Sequence, residues 1–88
     1  MKARVRVYGE QGFVIGEFLS NILRVSLDEC SLSVDLITDE RLVKFGNSVM
    51  VIFENVFPNM YGEIDAVREY RGNSMVIFVK QVHVKVME

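Results

Sequence analysis

The chain has 88 residues, enough for one small domain but too few for both a core and a deep substrate cavity. Half of its residues are hydrophobic and 25% are charged, a composition typical of folded globular proteins. Ten basic and twelve acidic residues give a formal net charge of −2, which argues against the broad positive surface of nucleic-acid-binding proteins. We therefore expect a single binding domain over residues 1–88.

The residues available for metal binding, disulfides and targeting are few. Cys30 is the single cysteine and His83 the single histidine, so an internal disulfide is excluded and no metal-ligand motif is visible. The N-terminus lacks the apolar run of a signal peptide, and no apolar stretch approaches the roughly 18 residues of a membrane span. The sequence predicts a cytoplasmic protein with no metal, cofactor or membrane insertion.

The first elements alternate with a period of two, as half-buried strands do. In KARVRVY, Val5 and Val7 share one face while Arg4 and Arg6 share the other. The following stretch IGEFLSNILR has apolar residues at helical spacing, yet it also suits a hairpin that joins strands 13–19 and 22–28 through Ser20-Asn21. We favour the hairpin over a short helix.

Alternation returns in RVSLDE and SLSVDL, which we interpret as strands. Residues 38–46 are expected to connect strands, with one helical turn at most. The phrases GNSVMVIF (46–53) and GNSMVIF (72–78) each read as a turn followed by a continuous apolar strand covered on both sides. This predicts that Phe53 and Phe78 both belong to the core. The residues preceding the two phrases differ, so we interpret the repeat as structural rather than as a duplicated site.

The remaining segments complete an all-β pattern. EIDAVREY, within 62–70, fits either a short helix or a strand with Gly62, Ile64 and Ala66 on one side, and QVHVKVM (81–87) alternates as a half-buried strand. Six or seven short antiparallel strands and at most one short helix predict a small antiparallel β-barrel or sandwich, and we favour the barrel.

No catalytic arrangement is visible. In a strand, His83 shares its face with Gln81 and Lys85, and adjacent carboxylates such as Asp28 and Glu29 point to opposite faces. Base stacking on Tyr8, Tyr61 and Tyr70 beside Arg68 and Arg71 is an alternative to simple packing, but the acidic balance favours packing. We expect that the protein is not an enzyme.

One stretch carries a family resemblance. LDECSLSVDL has Asp28, Cys30 and Ser33 at the spacing of Asp/Asn, Ser and Gly in the ligand motif of the PilZ domain, a small bacterial β-barrel. LVKFG, YGEIDAV and SMVIF resemble the later turn and strands of that family. Its motif also includes an N-terminal Arg-x-x-x-Arg arm that holds cyclic di-GMP, and residues 1–8 offer Lys2-x-x-x-Arg6 with Arg4 between.

Three departures from the motif weaken the ligand site that the resemblance implies. Lysine at position 2 lacks the planar fork of arginine, the Cys30 thiol is a weak hydrogen-bonding group, and Ser33 resists backbone conformations open to glycine. The resemblance therefore implies a bacterial signalling adaptor with a protein partner and weak or absent cyclic di-GMP binding.

Two other functions stay open at this point. EYRGNSMVIF is similar to the second motif of Sm-like RNA-binding barrels, although the net charge makes nucleic acid an unexpected partner. A purely structural barrel that forms a homo-oligomer is the other alternative.

Overall fold

The computed structural model describes residues 1–27, 32–41, 43–54 and 58–81. Every regular element in these ranges is a β-strand, and no helix there is long and apolar enough to cross a membrane. The six strands are β1 (Lys2–Tyr8), β2 (Val14–Leu27), β3 (Leu32–Thr38), β4 (Ser48–Ile52), β5 (Met60–Glu69) and β6 (Met75–Gln81). They form a closed antiparallel barrel in the order β1-β2-β3-β6-β5-β4, which confirms the predicted fold class.

The alternation of the first strand sets the interior of the barrel. β1 pairs with β2 on one edge and with β4 on the other, so its inward side chains are enclosed on both sides. Ala3, Val5 and Val7 are almost completely buried, as the period of two predicts. The rest of the buried hydrophobic cluster is Val34, Leu36, Val43, Val49, Val51, Phe53, Met60, Ile64, Met75, Ile77 and Val79.

The predicted hairpin in residues 13–28 is wrong, because Val14–Leu27 form one continuous strand. Ser20 does not turn the chain; it is buried, and its hydroxyl donates a 2.9 Å hydrogen bond to the Ile37 carbonyl of β3. A one-residue irregularity at Leu23 lets the strand bend as it changes its partner from β1 to β3. Pairing with two neighbours thus overrides the local preference of Ser-Asn for a turn.

Residues 62–69 belong to strand β5 rather than to a helix, and Tyr70 follows its last residue. Gly62 and Ile64 face inward as expected, but the register shifts at Asp65, so Ala66 lies opposite the outward-facing Phe78 and Val67 packs against the core instead. The connection 39–47 contains no helix among its described residues. The strand predicted over 81–87 falls, beyond Gln81, outside the described residues, and His83 does so with it.

The two Gly-Asn-Ser phrases do introduce strands, with Gly46 and Gly72 in the left-handed region at φ 85° and 59°. Their strands are not equally covered, however. β4 alternates, with Val49 and Val51 buried and its outward residues partly exposed, so the expectation of a doubly covered strand is wrong there.

The two phenylalanines that were expected in the core also differ. Phe53 is 3% exposed and joins the core, which confirms that prediction. Phe78 points outward between the inward-facing Ile77 and Val79 and is only half-buried, so its assignment to the core is wrong. A closed sheet encloses one face only, so the apolar character of Phe78 serves the outer surface.

Gly62 allows the closest approach between β5 and β6. A Cβ atom built at this position would lie 2.5 Å from the Lys80 carbonyl oxygen and 2.9 Å from Cγ1 of Val79. We expect Gly62→Ala to lower the free energy of unfolding by about 3 kcal/mol or more, because a backbone atom cannot yield as a side chain can. Urea denaturation followed by circular dichroism measures the loss.

Gly12→Ala is the matched control for this substitution. Gly12 has a φ of 79° but nothing within 4 Å of its added Cβ, so it tests backbone strain without a clash. Its expected cost is about 1 to 2 kcal/mol. Equal losses in the two variants would contradict the close approach at Gly62.

The two phenylalanines give a second prediction. Phe53→Ala should cost about 3 to 5 kcal/mol because it leaves a cavity in the core. Phe78→Ala should cost about 1 to 2 kcal/mol, since a half-buried side chain loses less contact with its neighbours. Thermal and urea unfolding of both variants compares the losses, and a larger loss at Phe78 would contradict the assignment of faces.

Candidate functional site

A groove runs across the outer face of β2, β3, β6 and β5. Its floor consists of outward side chains of β3 and β6, where Asp35 lies opposite Phe78, and its walls come from the second halves of β2 and β5. Two adjoining cavities of about 550 and 580 Å³ share Arg24, Asp35, Arg68 and Phe78. They form one groove, and each part has a volume typical of ligand sites.

The groove is concave, although no second layer covers this face among the described residues. Val76 points outward between the inward-facing Met75 and Ile77, yet it is only 7% exposed. It lies in the same part of the groove as Leu23 and Tyr70, which belong to opposite walls. Side chains of β2 and β5 thus rise on both sides of the floor.

A charged pair joins the β2 wall to the floor. Arg24 donates to Oδ2 of Asp35 from Nε at 3.1 Å and contacts the same oxygen through Nη2 at 3.0 Å. The Asp35 side chain is 9% exposed, whereas that of Arg24 is 67% exposed. The negative charge of Asp35 therefore depends on Arg24 for its compensation. The guanidinium of Arg24 keeps much of its surface available to a ligand.

The opposite wall presents arginine over aromatic rings. The guanidinium carbon of Arg68 lies 5.2 Å from the centre of the Phe78 ring, and that of Arg71 lies 5.6 Å from the centre of Tyr70. Neither arginine forms an ion pair within the described part of the chain. A guanidinium over an aromatic ring keeps N–H groups available to carboxylate or phosphate oxygens.

The end of the groove near the β2–β3 connection is polar. Ser33 lies opposite Ser26 on β2 and opposite Lys80 on β6, and its hydroxyl is 3.5 Å from the Ser26 carbonyl that it can donate to. Ser33 is thus the one described member of the predicted Asp28–Cys30–Ser33 motif that lines the groove. Asp28 and Cys30 lie outside the described residues.

The arginines predicted for ligand binding are on another face and are already paired. On the outer side of β1, Arg6 Nε donates to Glu17 Oε2 at 2.9 Å, and Arg4 contacts Glu17 at 3.4 Å and Glu54 at 3.2 Å. The hydrogen bond with Glu17 is the main cause that raises the pKa of Arg6 above its usual value. Both guanidiniums therefore have carboxylate partners within the protein itself.

Strand pairing separates this arm from Ser33. Lys2 lies opposite Asn21 and Arg6 opposite Glu17, whereas Ser33 lies opposite Ser26. Asn21 and Ser26 are five residue steps apart on β2, or roughly 16 Å along an extended strand. Arg4 and Arg6 are still farther away, so among the described residues the structure does not bring Lys2, Arg4 and Arg6 next to Ser33.

The three tyrosines considered for base stacking likewise do not lie together. Tyr8 and Tyr61 stack with ring centres 6.3 Å apart, and hydrogen bonding with Tyr8 raises the pKa of Tyr61 above its usual value. Tyr70 instead belongs to the groove with Arg68 and Arg71 nearby. Among the described residues, no three His, Cys, Asp or Glu side chains are placed to hold a metal ion.

Sequence reasoning missed Arg24, Asp35 and Phe78 as members of a site. The alternation in RVSLDE and SLSVDL does place Arg24 and Ser26 on one face, and Ser33 and Asp35 on one face. The cross-strand register, which sets Asp35 between Arg24 and Phe78, is not encoded in either segment alone.

The Arg24–Asp35 pair gives a prediction that a double-mutant cycle can measure. Arg24→Met should destabilise the protein at pH 7 because it leaves the nearly buried carboxylate without its partner. The pairwise coupling between Arg24→Met and Asp35→Asn should be about 1 kcal/mol, moderated by the exposure of Arg24. Urea unfolding of the four proteins gives the coupling, and strictly additive losses would contradict the pair.

The chain was compared with family models, curated proteins and solved structures, and none of them matches it.

Proposed function

We propose that the protein is a regulatory or adaptor module of the PilZ-like type that works in the bacterial cytoplasm by binding a protein partner in its outer groove. In this proposal it catalyses no reaction and binds cyclic di-GMP weakly or not at all. The observation that carries the proposal is the contrast between two sets of arginines. Arg4 and Arg6 are held by Glu17 and Glu54, whereas Arg68 is stacked on Phe78 at the edge of an open groove.

The ion pairs that Arg4 and Arg6 form within the protein argue against tight cyclic di-GMP binding. A phosphate that binds Arg6 would compete with the Glu17 carboxylate, which already accepts a charge-assisted hydrogen bond from Nε. A ligand held by this arm would also be remote from Ser33, which pairs farther along β2. Together with lysine at position 2, these features support a module that has lost cyclic di-GMP binding rather than one with a functional but empty site.

The groove has features that suit a segment of a partner protein. Four residue steps along β6 separate Val76 from Lys80, so the floor is about 13 Å long, matching four residues of an extended peptide. Val76 and Phe78 provide apolar contact, and Arg68, Tyr70 and Lys80 provide the arginine, aromatic and polar groups typical of interfaces.

Calorimetric titration tests the nucleotide half of the proposal. The wild-type protein should give no saturable heat with cyclic di-GMP up to about 1 mM, the concentration at which a binding free energy of about −4 kcal/mol half-saturates a site. Glu17→Gln, which weakens the hold on both arginines, is the matched variant. Micromolar binding by the wild-type protein that is lost in Arg6→Ala would contradict the proposal.

Site-specific photocrosslinking in the native host tests the partner half. A photoreactive residue at Lys80, in the groove, should give a discrete protein adduct, and Arg68→Ala should abolish that adduct. The same residue at Glu10, exposed in the β1–β2 turn, is the control. No adduct at Lys80, or one that Arg68→Ala leaves unchanged, would sink the assignment of the groove.

A further inference from the structure

The first half of β2 is an open margin of the sheet. β2 pairs with β1 through residues 14–21 and with β3 through residues 21–27. Along residues 14–20, the edge that faces away from β1 therefore has no strand partner in the described part of the chain. In an antiparallel strand, alternate residues direct their N–H and C=O groups to that second edge.

The inward-facing residues of β2 are less buried than their partners on β1, which agrees with an unpaired edge. Val5 and Val7 of β1 are 0% exposed, but their cross-strand partners on β2, Phe18 and Gly16, are only half-buried. All four face the barrel interior. The enclosure that β1 receives from strands on both sides is missing where β2 has a neighbour on one side only.

The side chains around this open edge are apolar. Phe13 is 71% exposed and Leu19 62%, and Val14 and Ile15 are each exposed by half or more. The stretch FVIGEFLS contains no lysine and no proline, and Glu17 is its single charged residue. Natural sheet edges usually carry lysine, proline, inward charges or bulges that prevent pairing with another strand. This edge has none of the first three, and its one bulge, at Ile15, lies near its beginning and leaves residues 16–19 in regular pairing with β1.

We propose that this edge is a dimerisation site, at which residues 14–19 of β2 pair antiparallel with the same residues of a second copy. A strand that pairs antiparallel with itself generates a twofold axis, so the contact closes and does not propagate into a fibre. It buries the apolar side chains of residues 13–19 and supplies the missing neighbour of Phe18.

The charges favour a second copy as the occupant. The carboxylate of Glu17 is already neutralised by Arg4 and Arg6 of its own chain, so two copies meet without like-charge repulsion. The contact is short, about 20 Å of strand, which corresponds to a small interface and a reversible dimer rather than an obligate one. The groove remains outside this contact, so dimerisation does not depend on the function proposed for it.

Analytical ultracentrifugation of the full chain tests the dimer. The wild-type protein should show a concentration-dependent monomer–dimer equilibrium in the micromolar range. Ile15→Lys and Leu19→Lys should each weaken it at least tenfold, because either substitution places an ammonium group against apolar side chains of the second copy. Phe45→Lys, at a residue that is 76% exposed on the β3–β4 connection, should leave it unchanged.

Hydrogen exchange keeps the test independent of folding defects. Amides of residues 14–19 should become more protected as the wild-type concentration rises, whereas each lysine variant should keep its circular dichroism spectrum and lose only that dependence. A wild-type protein that is monomeric at about 1 mM would overturn the proposal. A dimer equally sensitive to Phe45→Lys, or edge protection that arises only with a foreign peptide strand, would overturn it as well.

Discussion

Every feature of functional interest depends on one constraint, which is that β2 must pair first with β1 and then with β3. Asn21 lies opposite both Lys2 of β1 and Ile37 of β3, and the strand exchanges one partner for the other at this residue. Before Asn21 the edge of the strand that faces away from β1 has no strand partner among the described residues, and after Asn21 the strand becomes a wall of the groove. The exchange allows the sheet to close with short strands, because a staggered register is what a small barrel requires.

The arginines of this barrel illustrate how location determines what one side chain can do. Arg4 and Arg6 neutralise Glu17 and Glu54 on an exposed face, where such pairs add little to stability. Arg24 compensates a nearly buried carboxylate and is therefore structural as well as accessible. Arg68 lies against an aromatic ring with its N–H edges available. Of these, Arg68 is the best prepared to meet a partner, since it lies over an aromatic ring and no carboxylate of the described residues pairs with it.

Local patterns predicted what alternation alone can determine. The period of two in KARVRVY predicted the buried face of β1, and the apolar strand after the first Gly-Asn-Ser predicted the burial of Phe53. Alternation could not predict the continuity of β2 through Ser20-Asn21, the outward orientation of Phe78, or the neighbours of Asp35. These depend on pairings between residues distant in sequence, and on two one-residue irregularities that invert the phase of a strand.

The extra residues Leu23 and Asp65 lie in the two strands that wall the groove. Each resets which side chains face inward for the remainder of its strand: a strand that alternated regularly through Asp65 would turn Arg68, four residues after the inward-facing Ile64, towards the interior. Loss of either extra residue would remove a bend from one wall and so change the width of the groove, while Arg24 and Arg68 would still face outward and the core around Val5 and Val7 would stay as it is. For such a barrel, single-residue length changes in β2 and β5 offer a route to a groove of another shape that ordinary substitutions do not provide.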